Sequence, residues 1–148
     1  MKHFFENRTD FWLPTWEQVI GNLNACPLDA IYQMDNLGVA VHQVYLEEYK
    51  PILEVGNQLS KEYNNDPVTA QTMISFRSDS KTYGKHVDDV DVYLLQALGF
   101  LETKVWEDEE EFTYTMAPGD MIHIPAGLYH STRPLSPRVS ISYGVETQ

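Results

Sequence analysis

The sequence predicts a mainly β fold, a sandwich or small barrel, with a helical region ahead of it. Three observations carry this expectation. From Val68 onward, short segments rich in Tyr, Val, Ile and Thr follow one another between turn signals such as Pro118-Gly119-Asp120 and Pro125-Ala126-Gly127. Helical spacing occurs earlier, where Ile52, Val55, Gly56, Leu59 and Tyr63 recur at three- and four-residue intervals. The chain has 148 residues, 43% of them hydrophobic and 12% aromatic, which suits one domain with one substantial core and leaves no room for a second.

Thr15-Trp16-Glu17-Gln18 has the form of a capping box, so a short helix starts there and runs to about Asn24, closed by Cys26-Pro27. Residues 37–42 read as a short strand, since small and β-branched residues follow one another without helical spacing. Pro51 suits the first turn of the helix carrying Ile52 to Tyr63, where a missing N–H has no partner to lose, and Asn64-Asn65-Asp66-Pro67 ends it. Strands are expected over 68–76, 92–98, 102–106, 112–116, 121–124 and 138–143, with a return strand opening at His130. The predicted organisation is a single domain over 1–148, with a helical region over 1–67 and the β core over 68–148. The acidic run Glu107-Asp108-Glu109-Glu110-Glu111 reads as a solvated hairpin tip, because adjacent strand side chains point to opposite faces.

Composition excludes several classes of function. Ten Lys and Arg against 22 Asp and Glu give a formal net charge of −12, which argues against nucleic acid or an anionic membrane as the main partner. A single cysteine, Cys26, rules out an internal disulfide framework and fits a reducing compartment. No apolar run approaches the roughly 18 residues of a membrane span, and the charged N-terminal residues do not form a signal-peptide core. The expectation is a soluble, cytoplasmic protein.

Two motifs carry the chemistry. In His86-Val87-Asp88, residues two apart on an extended chain share a face, so an imidazole and a carboxylate can converge on one ion. Alone this is weak, since the spacing arises by chance about once in three such chains. The second, Gly119 through Pro125 and Gly127 to His130, fits the pattern G-x5-P-x-G-x2-H. It describes a strand, a tight turn and a return strand that delivers an imidazole to the mouth of a barrel. Two histidines and one carboxylate leave about three coordination positions open, the usual signature of a non-haem Fe(II) oxygenase centre.

The second pattern resembles the second motif of the cupin superfamily. His86-x-Asp88-x-x-Asp91-Val92-Tyr93-Leu94-Leu95-Gln96-x-x-Gly99 resembles the first metal motif of the JmjC and ribosomal-oxygenase branch of cupin-fold 2-oxoglutarate oxygenases. Gly119 to His130, followed by Arg138-Val139-Ser140-Ile141-Ser142, resembles the end of the same double-stranded β-helix. The resemblance covers roughly residues 68–145 and implies a cupin or jelly-roll barrel with the N-terminal helices packed on it. It implies Fe(II) held by His86, Asp88 and His130, with 2-oxoglutarate chelating the metal beside O2. The implied activity is that of a dioxygenase, most simply a hydroxylase of a protein, an amino acid or a small molecule.

The cosubstrate's far carboxylate requires a basic partner. In the JmjC and ribosomal-oxygenase branch a Lys or Arg stands two residues after the glycine equivalent to Gly99, where this chain has Leu101. Arg138 is the first alternative, because Arg-x-Ser on the last strand resembles the anchor of other branches and Ser140 points the same way. Val139, Ile141 and Tyr143 then form the opposite, core-packing face. Lys104 is the second alternative, if three residues are inserted, and neither residue is the third. Tyr83 and Gln96 are secondary candidates near the cosubstrate, and His123 reads as structural rather than as a fourth ligand. A cupin enzyme using another metal without 2-oxoglutarate, a non-catalytic metal-binding module, and a homodimer formed through the N-terminal helices all stay open on the sequence.

Overall fold

The computed structural model describes residues 1–42, 50–63 and 68–146. Its elements, in order, are β1 (Phe4–Asn7), α1 (Trp16–Ala25), a single 3-10 turn (Leu28–Ala30), β2 (Ile31–Met34), β3 (Gly38–His42), α2 (Lys50–Glu62), β4 (Val68–Ser75), β5 (Asp91–Leu98), β6 (Leu101–Glu107), β7 (Glu110–Met116), β8 (Asp120–Ile124), β9 (Tyr129–Pro134) and β10 (Arg138–Val145). Seven strands form one sheet in the order β1-β8-β5-β10-β4-β3-β2, and three form a second in the order β7-β6-β9. Every pairing is antiparallel. After β5 the chain passes to the small sheet for β6 and β7, back for β8, across for β9 and back for β10. This alternation is that of the double-stranded β-helix the motifs imply.

Strand β10 shows how the sequence builds two cores. Val139, Ile141, Tyr143 and Val145 face outward and are buried with Val19, Ile52, Val55 and Leu59 of the two helices. The Tyr143 hydroxyl donates to the Ile52 carbonyl at 3.1 Å. The other face looks into the barrel, whose interior is packed by Ala40, Met73, Val92, Leu94, Leu101, Val105, Met116, Ile122 and Ile124. Covered on both sides, β5 is buried continuously from Val92 to Ala97, with Gln96 its one polar side chain in that stretch.

Register sorts the inward-facing residues of the large sheet into rows. Nearest the mouth, Thr69, Gly144, Val92 and Ile124 lie side by side. Below them come His42, Gln71, Ser142, Leu94 and Ile122, then Ala40, Met73, Ser140 and Gln96. The deepest row holds Gly38, Ser75 and Arg138. Gly99 closes this end: it has φ +70, and a Cβ there would meet the Pro137 carbonyl oxygen at 1.9 Å.

The α1 capping box forms as the spacing predicts, with Thr15 Oγ1 accepting from the Gln18 N–H and Gln18 Oε1 from the Thr15 N–H. Pro51 falls in the first turn of α2, while residues 64–67, expected to end that helix, lie outside the described residues. The strand expected over 37–42 forms as β3, while β1 and β2, which the sequence reading did not expect, also join the large sheet. β1 and β2 have four residues each, too short for a period to show, and are strands because the sheet edges pair them.

The acidic hairpin tip is confirmed at Asp108 and Glu109, both with positive φ as a two-residue type I′ turn requires. Glu107 departs from it. It is 5% exposed, and its carboxylate accepts from the backbone N–H groups of Lys2 and His3 and from His3 Nδ1. His3 Nε2 lies 2.6 Å from the Tyr114 hydroxyl, so β1 is clasped to the small sheet as well as paired in the large one. The donors, His3 Nδ1 foremost, lower the Glu107 carboxyl to about 2. No helix among the described residues is long and apolar enough to cross a membrane.

Candidate metal centre

His86 and His130 meet across an isolated antiparallel bridge beside β9, the His86 N–H donating to the His130 carbonyl at 3.0 Å and the His130 N–H returning the bond at 2.9 Å. The second motif's turn holds the first motif directly, because the Gly127 N–H donates to the Asp88 carbonyl at 3.0 Å. Gly127 has φ +89, which is why glycine suits that turn. Thus 44 residues of separation between the two imidazoles are closed by backbone hydrogen bonds, with the Ala126 N–H donating to Asp91 Oδ1 at 2.9 Å beside them, and the rings sit 4.3 Å apart.

Each imidazole is oriented through its Nδ1. That of His86 lies 2.7 Å from the Gly84 carbonyl and that of His130 lies 3.0 Å from the Leu128 carbonyl. A carbonyl only accepts, so both Nδ1 atoms carry the proton and both Nε2 atoms present lone pairs. These point at Asp88, whose Oδ2 is 3.1 Å from His130 Nε2 and 3.7 Å from His86 Nε2. Three acceptors within 4.8 Å of one another repel unless a proton or a cation lies among them. Adjacent ligands at about 2.1 Å from a divalent ion stand roughly 3 Å apart, so this donor set fits a metal. With a proton on His130 Nε2 in place of an ion, that hydrogen bond and charge hold the Asp88 carboxyl below its ordinary value. About a third of the His86 and Asp88 side chains stays exposed, while His130 is nearly buried.

These groups sit in the wall of a cavity of about 920 Å³. Its apolar lining includes Met73, Val90, Val92, Leu94 and Ile124, and Tyr32 and Tyr83 stand at its rim with rings 6.4 Å apart. Tyr83, partly exposed, accepts a 2.8 Å hydrogen bond from Gln71 Nε2. Among the described residues no lysine or arginine lines the cavity.

Arg138 lies deeper, in the barrel but beyond the cavity wall. It is 1% exposed, its Nε donates to Ser75 Oγ at 2.9 Å and its Nη1 to Ser140 Oγ at 2.8 Å. Ser140 in turn donates to Gln96 Oε1 at 2.6 Å. No carboxylate among the described residues pairs with it, and burial alone lowers the guanidinium to about 10, still charged at neutral pH. An arginine buried without a counter-charge suits an incoming carboxylate.

Lys104, the second alternative, is turned away from the barrel interior. Positions alternate along β6, and Leu101, Thr103 and Val105 take the inner face. Lys104 is on the outer face, where its Nζ pairs with Glu111 at 3.0 Å. His123 points away from the cavity too, stacking on Tyr93 at 4.5 Å with Nε2 3.4 Å from Asp91, while its Nδ1 is buried without a partner. His42 also lines the cavity. Ser75 and Gln71 escaped sequence reasoning. Alternation along β4 is the signal that finds them, since 69, 71, 73 and 75 share the inner face.

No protein-family model matches the chain, and no curated protein matches it in sequence. Solved structures match in fold. The YcfD ribosomal oxygenase from Escherichia coli in complex with cobalt and 2-oxoglutarate aligns with 99% of this chain and 48% of its own, at TM-score 0.78 and 16% identity. The same enzyme with cobalt and succinic acid aligns at 0.77 and 17%. Procruciferin, an 11S globulin from Brassica napus, aligns with 82% of this chain and 28% of its own, at 0.59 and 15%. The chain therefore spans about half the length of the ribosomal oxygenase whose barrel it shares.

Proposed function

We propose that the protein is an Fe(II)- and 2-oxoglutarate-dependent oxygenase of the hydroxylase type. The observation that carries this reading is one barrel holding three converging acceptors at its mouth and an uncompensated arginine beneath its floor. The fold shared with an oxygenase bound to cobalt and 2-oxoglutarate supports it. In the proposal, His86, Asp88 and His130 hold Fe(II), and Arg138 pairs with the far carboxylate of the cosubstrate. Iron and 2-oxoglutarate bound there would activate O2, releasing succinate and CO2 and delivering one oxygen atom to the substrate.

The chain's own residues have distinct tasks in this reading. The carbonyls of Gly84 and Leu128 keep both Nε2 atoms turned toward the ion. Ser75 and Ser140 fix the guanidinium plane, and Gln96 sets the Ser140 rotamer. The apolar wall excludes water, which strengthens each charge interaction inside. Tyr83 contributes its ring and hydroxyl at the rim, where a protein side chain or a small molecule enters. A reducing, cytoplasmic setting would suit both Fe(II) and the single cysteine.

A second reading, a cupin enzyme using the same ligands without 2-oxoglutarate, is favoured by the lack of a basic residue in the described cavity wall. One experiment separates the two. Under anaerobic conditions, Fe(II) and 2-oxoglutarate together should produce a weak visible charge-transfer band with wild-type protein and none with R138M. A wild-type protein that binds Fe(II) but shows neither the band nor 2-oxoglutarate binding would favour the second reading.

A further inference from the structure

We infer that Met73 is the door between the cavity and Arg138, a positioning residue that controls how a dicarboxylate reaches its anchor. The inference rests on the reading of Arg138 as the cosubstrate's anchor.

The register of the large sheet puts Met73 where two compartments meet. It lines the cavity, yet it pairs across β10 with Ser140, the residue that receives the Arg138 guanidinium hydrogen bond. Arg138 itself is not among the residues that line the cavity. Successive inward rows on one strand are two residues apart, about 6.8 Å, so a ligand held at the mouth must pass the Met73 row to meet the arginine.

The neighbours of Met73 leave it room to move. Across β3 its partner is Ala40 and across β10 it is Ser140, so a long side chain stands between two small ones. Met73 is 9% exposed, against 3% for Leu94 and 0% for Ile122, its companions above the polar network. An unbranched thioether rotates about three bonds and gives way where Leu or Ile would not. Leu101 belongs to the same interior cluster, fully buried and apolar, so no basic side chain on the small sheet offers a shorter route. Swinging Met73 over Ala40 would connect the cavity to the guanidinium and leave the three acceptors at the mouth undisturbed.

The test uses Mn(II)-loaded protein without O2 and follows 2-oxoglutarate binding by stopped-flow and titration calorimetry. M73A should raise the association rate by roughly fivefold or more, and M73F should weaken binding by about tenfold or more, both with Mn(II) affinity unchanged. M73L, nearly equal in volume but branched, should slow association while keeping the dissociation constant near wild type, which keeps the test open if M73F fails to fold. If R138M abolishes 2-oxoglutarate binding while all three Met73 variants bind at wild-type rate and affinity, the door is refuted and the anchor stands. If R138M binds 2-oxoglutarate as wild type does, the anchor reading fails and this inference with it.

Discussion

At the mouth of the barrel, His86 and Asp88 keep a third of their side-chain surface in solvent, and the backbone fixes where they stand. At the closed end, Arg138, Ser140 and Gln96 are buried, and side chains hold one another through hydrogen bonds of 2.6–2.8 Å. The mouth gathers acceptors that need a cation, and the closed end isolates a cation that has hydroxyl acceptors but no counter-charge among the described residues. A small ion can exchange at a wet rim whose ligands are pre-aimed. A buried charge gains more from one partner because water does not compete, at the cost of being desolvated until that partner arrives.

The sharpest way to break this comparison is at the closed end. R138M should abolish 2-oxoglutarate binding yet keep the melting temperature within about 5 °C of wild type or raise it, because it removes a buried charge that has no counter-ion. Calorimetric titration and thermal unfolding on the same sample check both outcomes. Adding L101K to R138M should restore part of the binding, since Leu101 faces the same interior from the small sheet.

Smaller effects sharpen the contrast with buried charge elsewhere. Glu107 is depressed from an ordinary 4.5 to about 2 by His3 and by backbone N–H donors. A carboxyl whose folded value lies below its unfolded one contributes stability that is complete above about 4.5 and fades as pH falls through 2. E107Q should therefore lower the melting temperature at pH 7 and flatten its decline between pH 4.5 and 2, as read by calorimetry across pH. K104A should change stability by no more than about 0.5 kcal/mol and leave 2-oxoglutarate binding unaltered, because it removes only an exposed pair with Glu111.

Much of this was readable from residue order. Apolar residues at 139, 141 and 143 set Arg138 and Ser140 on the inner face, because strand periodicity is local. The turn around Gly127 and the spacing to His130 announced the second motif, and His86-x-Asp88 became informative only beside it. Partners set by tertiary distance were not legible. Glu107 looked like one more acid in a solvated run, and its burial depends on His3, 104 residues away. Gln71, Met73 and Ser75 mark no motif; alternation along β4 puts them on one face, and the register against β3 and β10 sets the depth of each in the barrel. Lys104 kept a role on the sequence only through an assumed insertion, which the unbroken pairing of β6 with β7 and β9 removes.

The claim beneath the whole account is that the facing lone pairs of His86 and His130 share one divalent ion with Asp88. Electron paramagnetic resonance during a Mn(II) titration tests it most directly. The account predicts one bound ion per wild-type chain and, for a well-folded D88A, affinity lower by more than about 100-fold, since losing even an outer hydrogen bond of a metal site costs about 10–100-fold. Wild-type protein that leaves all Mn(II) free, or D88A that binds it as tightly as wild type, would contradict it.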